Sequence, residues 1–272
     1  MNIIKEHFNS INELLSVIES RKNNSVMCGK FSSKSNDKSF TGTKSYEEAV
    51  ELFRNGYTEI LPQIKTGVFA NLKRTETRNR RRVETGVIGY APHVPNAILG
   101  LPNSMIRTNQ TPQKTKVVSL VVGITENCGT NASEFIKSGI AALGVVNSLE
   151  LRGYRVNLKV AFYVASDHYG SNDEFAFGTV NIKNYREHLD LQKICFPLAH
   201  PSMFRRFGFK WLETVPDLKE SSWSFGYGSQ VRDLKFIKEN FLSKNEYFIN
   251  LEITKENDYD PEKIIEHLNI EN

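Results

Sequence analysis

The stretch from Lys116 to Ser166, KVVSLVVGITENCGTNASEFIKSGIAALGVVNSLELRGYRVNLKVAFYVAS, constrains the fold more than any other part of the chain. Val117 to Val122 is a short, nearly continuous apolar run rich in β-branched residues, as expected of a strand covered on both faces. A polar loop follows. From Ser133 to Arg152 the apolar residues Phe135, Ile136, Ile140, Leu143, Val146, Leu149 and Leu151 recur at spacings of three and four, the pattern of an amphipathic helix. Gly153 stands where a helix C-cap glycine belongs, and Tyr154 to Val164 then reads as a second strand. A parallel return across a helix of this length is a right-handed crossover. The expected class is therefore α/β, with a doubly wound, mainly parallel sheet.

The length of 272 residues is enough for a full core, and the expected division is an N-terminal helical extension over 1–112 and an α/β core over 113–272. No apolar run approaches the roughly 20 residues that span a bilayer. The opening MNIIKEHFNSINELL is amphipathic and lacks the apolar core of a signal peptide. Cys28, Cys128 and Cys195 lie far apart, without a CxxC or Cys/His pair, which argues against a disulfide scaffold and against zinc. The net charge of +4 is mild, so its distribution matters more than its size.

Ile4, Phe8, Ile11, Leu15 and Ile18 fall on one helical face and predict a surface helix over residues 3–18. Arg21 to Ser39 is polar and reads as a loop. Ser45 and Glu48 fit a capping box, and Gly56 ends the helix that they open. A second helix is expected from Glu59 to Arg82. It ends in a basic run, Lys73, Arg74, Arg78, Arg80, Arg81 and Arg82, opposed only by Glu76. Such a run can neutralise phosphates and supply sequence-independent nucleic-acid affinity. It can equally be a solvated helix end or an arm that contacts another protein, a reading favoured by the absence of aromatic residues among the arginines.

Gly86 to Met105, GVIGYAPHVPNAILGLPNSM, holds three prolines that forbid a continuous helix. Its apolar content predicts a packed irregular segment, with His93 structural. Thr108 to Thr115 is the expected boundary before the core. Later in the chain, Glu174 to Ile182 reads as a strand, Asn184 to Cys195 as a helix broken by Pro197, and Pro201 to Trp211 as a short helix. In that short helix Met203, Phe204, Phe207 and Trp211 point inward, with His200 at its mouth and Arg205 and Arg206 following, and the favoured reading is an anchored helix corner. Gly226 and Gly228 lack the Gly-Lys-Ser/Thr of a phosphate loop. Glu246 to Ile253 is expected to be the last strand, and Asp260 and Pro261 open a closing helix.

In an open α/β sheet, ligands sit outside the carboxyl ends of the strands, where the loops from Gly123 to Ser133 and from Ser166 to Asp173 lie in this reading. The arrangement of strand, polar loop, long helix and strand resembles von Willebrand factor A domains. There, hydroxyls and a carboxylate in a DxSxS motif hold a divalent metal. The resemblance implies a divalent-metal site in the matching loop. Gly123 or Ile124 replaces the motif's aspartate, so the candidate ligands are Thr125, Glu126, Thr130 and Asp167, with magnesium as the candidate cofactor. A cysteine-based reaction at Cys128 with His168 or His200 as base has no local signature behind it.

Three further segments, FTGTKSYEEAVELFRNGY, VPNAILGLPNSM and LAHPSMFRRFGF, resemble in this order a family of bacteriophage and prophage proteins to which no activity is attached. That resemblance implies a setting in the bacterial host cytoplasm or the virion. The expected function is non-enzymatic protein–protein binding, as a virion or assembly component, with other viral proteins or further copies of the chain as partners and no membrane. The alternatives are a nucleic-acid-binding accessory protein using Lys73 to Arg82, and the metal site at the end of the central strand.

Overall fold

The computed structural model describes residues 2–27, 32–67, 82–109, 116–166, 174–219, 223 and 226–270. The chain is mixed α/β, with a mostly parallel central sheet and helices packed against it. Its first element is a strand, β1 (Asn2–Phe8), followed by α1 (Ile11–Ser20), α2 (Lys38–Thr41), α3 (Tyr46–Asn55) and α4 (Leu61–Gly67). A small separate sheet contains β2 (Arg82–Gly86), β3 (Ala91–Pro92) and β4 (Met105–Asn109), with α5 (Val94–Ile98) between the last two. The central unit is β5 (Val117–Gly123), α6 (Ala132–Leu151) and β6 (Arg155–Ala165). Then come β7 (Glu174–Lys183), α7 (Leu191–Ala199), a π-helical turn (Met203–Gly208) and α8 (Phe209–Thr214). The chain closes with β8 (Ser229–Gln230), α9 (Leu234–Asn240), β9 (Glu246–Ile249), α10 (Leu251–Glu256) and α11 (Pro261–His267).

The strand order is β1-β7-β6-β5-β9, with β8 paired to the end of β6. β5 runs parallel to both β6 and β9, and β1 runs parallel to β7. The β6–β7 pair is antiparallel, as a short connection between consecutive strands requires. Side chains alternate between the two faces. Val118, Leu120 and Val122 of β5 and Val156 to Val164 at even positions of β6 enter the larger core, with α1, α6, α7, α8 and α11. Val121, Ala161, Tyr163, Phe175, Phe177 and Phe248 face the other way into a second core with Ile237 of α9.

The expected helix over residues 3–18 is corrected to a strand and a shorter helix. Along β1 the burial alternates over Glu6, His7 and Phe8, a period of two, and the strand is the edge partner of β7. Glu6 accepts hydrogen bonds from Trp211 Nε1 (2.8 Å) and Arg21 Nη1 (2.9 Å). The helix begins at a capping box: Ser10 Oγ accepts the Glu13 N–H, and Glu13 reaches back to the Asn9 N–H. The box at Ser45 and Glu48 forms as expected. The first 64 residues thus supply both a strand of the sheet and side chains such as Leu14, Ile18 and Ile64 to the larger core.

Other boundaries move for local reasons. The helix expected from Glu59 to Arg82 is described as α4 up to Gly67, and Arg82 opens β2 instead. Pro197 lies inside α7, whose start Asp190 caps by accepting the Gln192 N–H. α7 continues for two residues past Pro197, which costs it the one N–H bond that position 197 would have made, so Pro197 does not break the helix. The last strand stops at Ile249 because Asn250 caps α10, accepting the Ile253 N–H.

α6 is buried nearly all round, and its contact with α7 is close at Gly139. A Cβ there would lie 2.4 Å from the Leu198 carbonyl oxygen and 2.5 Å from Ala199 Cα, both backbone atoms that cannot swing aside. Gly139→Ala is therefore expected to destabilise the chain by about 1–3 kcal/mol through overpacking, measured by urea unfolding. An unchanged midpoint would show that the two helices separate freely.

Candidate functional site

The carboxyl end of β5 carries the loop from Ile124 to Asn131, and the neighbouring β9 leads into α10. The Ile124 N–H still bonds to the Ala161 carbonyl, and Thr125 Oγ1 accepts the Tyr163 N–H at 2.8 Å, so Thr125 closes the end of β5 onto β6. Behind it the Tyr163 and Phe248 rings meet edge to face at 5.4 Å. Gly123 makes room for them, since a Cβ there would lie 2.5 Å from one ring and 2.6 Å from the other. Gln230 Nε2 donates to the buried Tyr163 hydroxyl at 2.7 Å.

Glu126 follows Thr125 and turns inward. One of its carboxylate oxygens is shut off from solvent and has no hydrogen-bond partner. Burial, reinforced by Glu134 and Glu252, pushes its pKa up to about 8 against the pull of Lys255 and Arg205. Lys255 is itself held by Glu134 at 2.9 Å.

The loop rests on Arg205, which comes from the π-helical turn and is 2% exposed. Its guanidinium lies 4.3 Å from the Phe40 ring centroid and 4.9 Å from that of Phe135. It donates to the Phe40, Asn127 and Thr130 carbonyls at 2.8, 3.2 and 2.7 Å. The next residue, Arg206, is fully buried and donates to the carbonyls of Ser33, Ser35 and Thr43 and to the hydroxyls of Thr41 and Thr43. The corner expected around Pro201 to Trp211 is thus anchored by its two arginines. His200 completes it: its Nδ1 accepts the Ser202 N–H, its ring stacks on Phe196, and burial pushes its pKa down to about 4.

Of the expected metal ligands, Thr125 and Glu126 are adjacent and Thr130 lies at the far end of the same loop; Asp167 falls outside the described residues. The described residues bring together no group of three or more His, Cys, Asp or Glu side chains suited to a metal ion. Cys128 is exposed on this loop, whereas His200 is committed to the corner and His168 falls outside the described residues. Lys73, Arg74, Arg78, Arg80 and Arg81 also lie outside them, and of Arg82 only the backbone, opening β2, is described.

Gly86 to Met105 departs from the expected packed segment. It forms the turns of the small antiparallel sheet β2-β4-β3, an arm closed by the Tyr90 N–H to the Ile106 carbonyl (2.9 Å) and the His93 N–H to the Ser104 carbonyl (2.7 Å). His93 caps α5. The apolar side chains face out: Ile88 is 83% and Ile98 80% exposed, and Val87, Tyr90, Val94, Leu99 and Leu101 join them. These are seven of the nine large exposed hydrophobic residues among those described, so the exposure belongs to one feature. The signal for it is in the sequence: from Thr85 to Ile106 there is no Asp, Glu, Lys or Arg, in a chain that is 24% charged.

The pKa of Glu126 makes stability depend on pH. From its ordinary value of 4.5 up to about 8, the folded chain keeps a proton that the unfolded chain releases. Stability should therefore fall as pH rises through that window and level off above it. Glu126→Gln should remove this slope and be more stable than the wild type at pH 9, by urea unfolding at pH 5, 7 and 9. Parallel pH profiles for the two proteins would show that Glu126 is ionised in the fold.

No curated protein and no solved structure matches the chain. Residues 1–272 match, over the whole chain, the family described as domain of unknown function DUF7192, and the protein belongs to that family.

Proposed function

We propose that the protein acts by protein–protein binding, and that it binds a second copy of itself through the apolar face of the arm over residues 82–109. The observation that carries this reading is the exposed cluster from Val87 to Leu101. Its exposed fractions amount to roughly 800 Å² of surface, the share of one partner in a standard interface of about 1,600 Å². In a two-fold interface the same patch meets itself, so a charged patch would oppose its own charges. The charge-free run from Thr85 to Ile106 has no such conflict.

A virion or assembly component in a phage-infected bacterium is the setting that suits this activity, with the unit β5–α6–β6 as the heart of a von Willebrand A-like core. No helix among the described residues is long and apolar enough to cross a membrane. The second reading, nucleic-acid binding, is favoured by the position of Lys73 to Arg82, which feeds directly into β2 of the same arm.

Size-exclusion chromatography with light scattering, read at 260 and 280 nm, separates the two. The expected result is a dimer or larger closed oligomer free of nucleic acid, converted to monomer by Ile88→Asp with Ile98→Asp. Both residues are exposed on the single chain, so the variant should stay folded, with an unchanged far-UV circular dichroism spectrum, and its melting temperature should fall only by the stabilisation that association supplies and no longer depend on protein concentration. A wild-type monomer at tens of micromolar would refute self-association. A monomer that sheds nucleic acid only in high salt would put the arginine run in its place.

A further inference from the structure

The charge-free run from Thr85 to Ile106 contains two ionisable side chains, Tyr90 and His93. Of the two residue types, only imidazole belongs to the class that takes up a proton between pH 8 and pH 5. His93 is half-buried and stands between β3 and α5, in the midst of the exposed apolar residues that run from Val87 to Leu101.

The arm uses His93 in its neutral form. Its backbone N–H donates to the Ser104 carbonyl at 2.7 Å, which fixes its place beside β4. Its Nδ1 accepts the Asn96 N–H at 3.4 Å and so caps α5, whose second residue, Pro95, has no N–H to offer. A ring nitrogen accepts only while it carries no proton; protonation turns Nδ1 into a donor facing a donor. No carboxylate in the arm comes to meet the resulting charge. Among the described side chains of the arm, Glu84 of β2 and Arg107 of β4 are the charged ones, and they pair with each other at 3.7 Å. Asn96 and Asn103 are neutral, with the Asn96 amide donating to the Asn103 carbonyl at 2.9 Å.

A two-fold interface brings the same patch from both copies together. Two protonated imidazoles would then enter one apolar surface as like charges without counter-ions, which costs far more than leaving them in water. The associated state therefore holds fewer protons than two free arms, and by linkage acid favours the free arms. We propose, on the reading of this face as a self-association surface, that His93 turns association off in acid: neutral, it caps α5 and lies within the interface; protonated, it frees the arm.

The test is sedimentation velocity on the full chain at pH 8 and pH 5, with far-UV circular dichroism to confirm folding. Glu126 makes the fold more stable in acid, so dissociation at pH 5 would not come from unfolding. A proton that must be lost on association costs about tenfold in affinity per pH unit once the free imidazole carries it, for each of the two copies, so the wild-type dimer should loosen at least about a hundredfold at pH 5. His93→Asn keeps a capping side chain and cannot be protonated; it should associate equally at both pH values. His93→Lys carries a permanent charge and should be monomeric even at pH 8. A wild type that associates equally at pH 8 and pH 5 would overturn the switch and leave self-association standing. Dissociation of both the wild type and His93→Asn at pH 5 would assign the effect to another group, and a His93→Lys dimer as tight as the wild type would place His93 outside the interface; either overturns the proposal. A wild type monomeric at pH 8 would refute self-association itself, and the switch with it.

Discussion

Two neighbouring arginines, buried where charge is most costly, hold the parts of this protein together. An unpaired guanidinium in an apolar interior is destabilising unless its donors are satisfied. Arg206 meets that demand with backbone carbonyls and threonine hydroxyls from residues 33–43, and Arg205 meets it through its two Nη groups, with carbonyls from Phe40 and from the loop after β5, while its buried Nε is left without a partner. The polar N-terminal connection is thereby folded around side chains that lie more than 160 residues away in sequence. The π-helical turn matters here. All six of its residues are buried, so the consecutive Arg205 and Arg206 both lie inside the fold, where a surface helix would send at least one toward solvent.

This arrangement explains why so little of the candidate site could be read from the chain alone. The loop from Ile124 to Asn131 was recognisable as the place where an α/β sheet keeps its ligands, because strand, loop and helix are local features with strong periodicity. What the loop does with its side chains depends on partners that local pattern does not encode. Thr125 looks like a free hydroxyl and instead ties β5 to β6; Glu126 looks like an exposed ligand, and instead turns inward, where burial raises its pKa. The stretch that holds Arg205 and Arg206 was read as an anchored corner, but arginines are seldom buried, and only the tertiary contacts show that these two do the anchoring.

The elements that were legible are those whose signals are self-contained, and the departures have specific causes. The central β5–α6–β6 unit and the capping box at Ser45 came through as read. Residues 3–18 misled because Ile4, Phe8, Ile11, Leu15 and Ile18 happen to satisfy a helical period across a strand-to-helix junction. The Ser-x-x-Glu box at Ser10 marks the true start of the helix and uses the same signature as the one at Ser45. The arm over residues 82–109 misled in the opposite way. Apolar residues are usually inside, but that rule runs in one direction only, and a run without charge is as much the mark of an interface as of a core.

The pairing of β1 with β7 has a consequence for how the chain is made. Asn2 lies beside Glu174 and Phe8 beside Val180, so β1 finds its neighbour only after some 170 more residues have been synthesised. At ordinary elongation rates of about 5–20 residues per second, that is a wait of roughly ten seconds or more. During that time Ile3, Ile4 and Phe8 are exposed and free to pair with the wrong edge. Closure of so long a loop belongs to the slow end of folding, among contacts of high sequence separation. The sheet therefore cannot gain its β1 edge until β7 has been made, and the apolar side chains of β1 stay without their core for that whole interval.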